Sequence, residues 1–403
     1  MMSKNNNFSI QNIPFGIFSI DNGKKRLGTI IGEEVIDLYG LAKTGAFDDL
    51  KIKKNIFLKG FLNDFIGLGK PKTNAVRERI QNIFSEKFLG ENICFHQSKV
   101  QMHLPIKIGD YTDFYSSEQH ATNVGIMFRD KANALLPNWK HLPVAYHGRA
   151  SSIFVSGTNF QRPKGQMLSE NPNAPPVFRA TRQLDFELEV ATIIGKQNEN
   201  GKNISTDEAE DYVFGFVLFN DWSARDIQRW EYAPLGPFLG KNFFSAVSPW
   251  VVTCEALAPF KSVAPEQSPA VLPYLKEKNR FTYDIQLEVF LETKTGATHQ
   301  LCTSNFKNLY WTVSQQIAHH TINGCNLNIG DVLASGTISG DTPDSFGSFL
   351  ELSWNGKNPL YFSDGTSRSF VEDGDTIIIK GFAEKKDMRV GFGEVRNKLL
   401  IEK

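Results

Sequence analysis

Seven consecutive residues, Leu184-Asp185-Phe186-Glu187-Leu188-Glu189-Val190, alternate apolar and acidic without a break. In an extended strand, side chains two apart share a face at about 6.5–7 Å. Leu184, Phe186, Leu188 and Val190 therefore line one side, and Asp185, Glu187 and Glu189 the other. Carboxylates that close repel unless something positive lies between them. On this segment alone two readings stay open: the wet face of an antiparallel sheet, or two glutamates meeting on one cation. Further acids join the account. Asp221 closes the apolar run Val213 to Asn220, either as the N-cap of the helix-like segment Trp222 to Trp230 or as a ligand at the mouth of a sheet. Asp113 lies in Asp110-Tyr111-Thr112-Asp113-Phe114-Tyr115. Asp113, Glu187, Glu189 and Asp221 make an all-oxygen set. Oxygen donors without His or Cys select hard cations, Mg²⁺ or Ca²⁺ rather than zinc or copper. Their spacing matches no EF-hand loop, so only the fold can assemble them.

Beyond Asp221, Arg225, Gln228 and Tyr232 are spaced by three and four, which on a helix puts a guanidinium, an amide and a phenol on one face. Such groups suit anions and carbonyls. Upstream, Ser116 and Gln119 match a capping box and place His120 in the first turn of a short helix. Of the remaining histidines, His96, His103, His141 and His299 offer no constellation, and His319 and His320 fall near a helix C-terminus, where the dipole favours a cation. Cys94, Cys254, Cys302 and Cys325 are dispersed, with no CxxC pair and no histidine at zinc spacing, and read as buried small hydrophobes in a reducing compartment.

Elements must bring these residues together. The beginning of the chain reads as short strands: Phe15 to Ile20, the turn Asp21-Asn22-Gly23, Leu27 to Ile31, and Val35 to Leu38. Helical spacing follows between Lys43 and Leu89, most clearly from Ala75 to Phe84. A small barrel with helices, ending near Pro105, accounts for both. Beyond Gly109 aromatics, Gly and Pro increase, and the stretch Leu136 to Gln166 shows no period, which marks a long loop serving a site. Strands are expected at Phe186–Ile194, Val213–Phe219, Tyr283–Leu291, Phe349–Trp354 and Thr376–Lys380. A helix is expected from Thr312 to Asn323, stopped by Gly324. The fold class is mostly β, of the α+β kind.

The 403 residues suggest two or three domains. With 41% hydrophobic and 22% charged residues, neither disorder nor a fibrous repeat is indicated. Forty-four Lys and Arg balance 44 Asp and Glu, so no net field exists to hold nucleic acid or an anionic membrane. No apolar run approaches a membrane span, and Met1 to Asn7 leads into no apolar signal region, which points to the cytoplasm. No glycine-rich fingerprint joins a strand to a helix, so nucleotide folds drop out.

The sequence resembles the fumarylacetoacetate hydrolase family along nearly its whole length. The segments that carry the likeness are Gly109 to Ser117, His120 to Gly125, Tyr146 to Ser152, Asp185 to Glu189, Asn220 to Gln228, Gly236 to Lys241 and Gly336 to Gly340. The resemblance implies a small SH3-like N-terminal barrel over residues 1–107, a mixed β-roll catalytic domain over 108–403, and a homodimer. It also implies hydrolysis of a carbon–carbon bond in 4-fumarylacetoacetate, giving fumarate and acetoacetate. Asp113, Glu187, Glu189 and Asp221 match the metal ligands, and His120 the general base, oriented by Glu351. Arg225, Gln228 and Lys241 match the groups around the developing charge. Tyr115, Arg129, Tyr146, Gln228, Tyr232 and Thr337 match substrate-binding positions. The likeness assigns Lys241 and Ser245 to a second cation contact, and here Phe244-Ser245 stands where the family pattern has Gly-Thr. Two rivals remain: a related acylpyruvate hydrolase or 2-oxo-acid decarboxylase, and an inactive cation-binding protein on the same scaffold.

Overall fold

The computed structural model describes residues 7–21, 23–86 and 92–401. Asn22 of the expected turn, the opening residues 1–6 and the end of the first helical stretch (residues 87–89) lie outside them. The expected N-terminal strands form at Phe15–Ile20, Arg26–Ile31 and Glu34–Asp37. The helical spacing becomes Lys70–Glu86.

One large sheet organises the molecule. Its strands run in the order Cys94–His96, Glu34–Asp37, Arg26–Ile31, Phe15–Ile20, Trp250–Thr253, Val213–Asp221, Leu188–Ile194, Val332–Ala334, Tyr111–Phe114 and Ala145–His147. The N-terminal strands are thus continuous with the rest, joined where Phe15 pairs with Val251 and Gly16 with Trp250. Among the described residues no ladder closes them into a ring: Cys94–His96 pairs only with Glu34–Asp37, and Val100–His103 only with Phe15–Ile20.

Val213–Asp221 is the keel of this sheet, buried along its whole length. Phe216 and Leu218 face a second sheet, whereas Phe214, Val217 and Phe219 face the N-terminal helices. The Phe15 ring sits 4.9 Å from Phe65 and 6.3 Å from Phe214. The second sheet orders Thr298–Asn305, Gln286–Glu292, Thr376–Lys385, Met388–Leu400 and Phe160–Gln161. Its period-two pattern turns Leu287, Val289 and Leu291 inward. The two sheets approach so closely that a Cβ on Gly381 would lie 2.6 Å from Leu218 Cδ2.

Several expectations are corrected. Phe349–Leu352 is a short helix, not a strand. Ser348 Oγ accepts the Glu351 N–H, and Asp185 accepts those of Phe349 and Leu350, so three free donors of the first turn are satisfied. The acidic strand breaks into Leu184–Asp185 and Leu188–Ile194, and every residue from Leu184 to Ile194 is buried, so there is no wet face. The helix holding His120, Glu118–Phe128, is capped by Ser117, because the Ser116 hydroxyl is taken by Gln316. The stretch 136–166 contains short strands at Ala145–His147, Ile153–Val155, Phe160–Gln161 and Lys164–Met167, too brief to leave a period. Val313–Thr321 is helical as expected, with a Thr312–Gln315 capping box and Gly324 at φ +94° beyond it. His319 and His320, in its last turn, have pKa values lowered by burial, so desolvation outweighs the dipole. Cys325 is exposed, unlike the other three cysteines.

Candidate active site

The site lies at one end of the large sheet, where neighbouring strands each deliver one group. Asp221 ends Val213–Asp221, and Glu189 lies next to the start of the antiparallel Leu188–Ile194. Asp113 pairs with Ala334 on one side and Tyr146 on the other. Glu187 sits in the break between strands, bridged to Ser348. Ligand oxygens of Asp113, Glu187, Glu189 and Asp221 all lie within 4.8 Å of one another, and all four residues are buried.

Charge around these acids is unevenly answered. Arg225 meets Glu187 at 2.7 Å, and Lys241 Nζ donates to Glu187 and, at 2.8 Å, to Asp221. Burial alone would raise the Glu187 pKa, but Lys241, Arg225 and His120 together hold it below the usual carboxylate range. Tyr146 Oη and Ser245 Oγ donate to the two oxygens of Asp221, at 2.6 and 2.7 Å. Asp113 and Glu189 have no such cations. Burial, and then the neighbouring carboxylates, push both well above their ordinary pKa. Asp113 Oδ1 and Glu189 Oε1 are buried with no donor. Two orphaned oxygens beside an excess of buried negative charge are what a hard divalent cation would satisfy.

Beside this cluster lies a buried dyad. His120 Nδ1 is 2.7 Å from Glu351 Oε2, and Glu351 also accepts from Asn123 Nδ2, Ser339 Oγ and Ser348 Oγ, each at 2.9 Å. Burial would raise the Glu351 pKa, but His120 and these donors lower it, so the carboxylate is ionised. An ionised partner draws the imidazole proton to Nδ1 and leaves Nε2 free to take another. Tyr115 stands edge-on to the His120 ring, centroids 5.2 Å apart.

Asp185 stands outside the four-acid cluster but shares Arg225 with Glu187. Its carboxylate binds Arg225 Nε at 2.9 Å as well as the Phe349 and Leu350 N–H groups, so one side chain ties the guanidinium to the helix bearing Glu351. Sequence reasoning gave Asp185 no role beyond its place on the acidic face. Its strict alternation with Glu187 and Glu189 was the available signal. Arg225 and Gln228 meet at 3.4 Å, and Arg225 Nη2 is buried without a partner. Tyr232, at the end of the helix Arg225–Glu231, is 58% exposed. Thr337 Oγ1 is buried and unpaired, one residue after Gly336, whose N–H donates to Glu189. Gly336 has φ +76°, and a Cβ there would lie 2.0 Å from Phe114 O, so the approach needs glycine. Arg129 is exposed and directs Nε and Nη2 at the Asn133 and Ala134 carbonyls. Phe244 has ordinary backbone and turns from the site into a stack with Phe160 and Phe154, centroids 4.4 and 4.9 Å away.

Residues 11–105 match the fumarylacetoacetase N-terminal family, and residues 110–400 match the fumarylacetoacetate hydrolase C-terminal family. The chain belongs to the fumarylacetoacetate hydrolase family. Fumarylacetoacetase of Mus musculus is 50% identical, with 99% of this chain and 97% of that protein covered. The Homo sapiens and Arabidopsis thaliana fumarylacetoacetases are 48% and 49% identical over the same shares. Among solved structures, a fumarylacetoacetate hydrolase from Exiguobacterium antarcticum superposes with a TM-score of 0.54 at 18% identity, covering 97% of this chain and all of that one. That likeness bears on the fold, which in both is the mostly β family architecture with some helices. Among the described residues no helix is long and apolar enough to cross a membrane.

Proposed function

We propose that this chain is a fumarylacetoacetase, hydrolysing the carbon–carbon bond of 4-fumarylacetoacetate to fumarate and acetoacetate at the end of tyrosine breakdown. The observation that carries the reading is the buried His120–Glu351 pair beside the cluster Asp113, Glu187, Glu189 and Asp221. Those four carboxylates would hold Mg²⁺ or Ca²⁺. A divalent cation bound there supplies Lewis-acid polarisation of the diketone oxygens.

The remaining work falls to the chain's own groups. Nε2 of His120 takes a proton from the attacking water, and Glu351 holds Nδ1–H and stabilises the imidazolium. Arg225 Nη2, Gln228 and the Lys241 ammonium present donors to the oxyanion and to the departing enolate. Charge that develops among fixed donors is stabilised more than the neutral ketone, and that difference accelerates the step. Tyr115, Arg129, Tyr146, Tyr232 and Thr337 are the groups for the carbonyls and terminal carboxylates. Lys241 and Ser245 act on Asp221 through side-chain hydrogen bonds, so any direct cation contact at Lys241 falls to its carbonyl. The same reading makes residues 1–107 an SH3-like unit and residues 108–403 a β-roll catalytic unit, in a cytoplasmic homodimer.

The test is loss of the conjugated diketone absorbance of 4-fumarylacetoacetate on adding purified protein. It is run as prepared, after EDTA, and after returning Mg²⁺ or Ca²⁺. Decay abolished by EDTA and restored by cation is expected. A folded, cation-replete protein that leaves the substrate intact overturns the reading.

A further inference from the structure

Lys241 follows directly on the loop Tyr232 to Gly240, which has little apolar anchorage: Leu235 is 97% exposed and Phe238 65%. One side chain holds the loop instead. Glu231 Oε1 accepts the backbone N–H groups of Phe238 and Gly240 at 2.7 and 2.8 Å, and Oε2 accepts that of Leu239 at 2.9 Å. Three successive N–H groups converging on an anion form a nest, here filled by a carboxylate from the chain itself.

We infer that Glu231 is a positioning residue for Lys241: by gathering those three N–H groups it fixes the turn from which the ammonium enters the acidic cluster. The role of Lys241 itself rests on the proposed hydrolase reading.

The turn is secured to the helix Arg225–Glu231 at both of that helix's ends. At its C-terminal end stands Glu231. At the other, Gly240 O accepts the Ala224 N–H at 2.8 Å. Between them Gly240 lies against Gln228 so tightly that a Cβ would meet the Gln228 N and Cβ at 2.8 Å. Lys241 N and Asn242 N both donate to Phe238 O, carrying the same fixed geometry on to the lysine. The helix that presents Arg225 and Gln228 and the residue that presents the ammonium are therefore one rigid piece, with Glu231 as its fastening.

The test combines turnover with labelling. Glu231→Gln retains the side-chain shape but replaces one charged acceptor oxygen with a donor NH₂, which repels the N–H groups it faces. A fall in kcat of about tenfold or more is expected, with KM changed less and the melting temperature close to wild type. The decisive comparison is with Lys241→Met: the double variant should be no slower than Lys241→Met alone, because Glu231 acts through the lysine. Losses that multiply overturn the inference, as does an unchanged kcat in Glu231→Gln. A second readout needs no turnover. Lys241, 6% exposed in the native protein, should react with an amine-directed acylating reagent, followed by mass spectrometry, faster in folded Glu231→Gln than in wild type. Equal protection overturns the inference. Faster labelling alongside a wild-type protein inactive on 4-fumarylacetoacetate upholds it and overturns the hydrolase reading instead.

Discussion

His120 and Glu351 show what one residue can and cannot disclose. In the sequence His120 is a histidine near a helix start, and only the carboxylate 231 positions away gives it a defined proton. Replacing His120 with Ala removes the proton acceptor but no cation ligand. Turnover should fall by about 10²–10⁴-fold, while Ca²⁺ or Mg²⁺ binding, followed by calorimetry, remains. Simultaneous loss of cation binding would mean that the dyad and the carboxylates form one inseparable unit. Glu187, Glu189 and Asp221 were legible because alternation and the end of an apolar run are local patterns, whereas Asp113 carries neither. Glu351 was not, without the family likeness, because its partners Asn123 and Ser339 come from other segments. Its neighbours Phe349 and Leu350 also imitate a strand.

At the scale of elements, the least legible ones were the shortest. Helix Phe349–Leu352 exists because Ser348 and Asp185 satisfy its first turn, and four residues are too few to show a period. The longer helix Val313–Thr321 was legible from its cap to its terminating glycine. That helix also contains a pH-sensitive joint. Thr312, its capping residue, donates Oγ1–H to Glu277 Oε2 at 2.9 Å, and the Glu277 side chain is 4% exposed. Burial pushes Glu277 up to about 7, against the lowering effects of Thr312 and Arg280. A carboxyl whose folded pKa lies above its unfolded value of 4.5 favours the folded state when protonated. Its contribution is complete below about pH 4.5 and is lost as pH rises through 7. Glu277→Gln removes that loss. The variant should melt above wild type at pH 8 and converge with it near pH 4, as measured by thermal denaturation across that range. Parallel curves would show that Glu277 does not titrate in this window.

The whole molecule departs most from a reading by segments. Local patterns suggested a separate small barrel, and strand after strand of it was legible. The sequence could not display that Phe15 pairs with Val251 or that its ring lies against Phe65 and Phe214, because pairings that distant leave no local period. Phe15, Phe65, Val217, Phe219 and Val332 belong to one buried cluster, so neither part has a complete core alone. A chain beginning at residue 106 should be insoluble or partly unfolded. The full chain should lose near- and far-ultraviolet circular dichroism in a single coincident transition. Two separated transitions, or a soluble active fragment, would show that the parts fold independently.

The Phe15–Val251 pairing also sets an order of events during synthesis. Its partners lie 236 residues apart, and a ribosome adding about 5–20 residues per second takes roughly 10–50 s to make that stretch. Throughout that interval Phe15 and Gly16, at the start of the first strand, lack their partners on that edge, whereas Ile17 to Ile20 beside them can already pair with Val100–His103. The start of that edge therefore stays open until translation has passed residue 251.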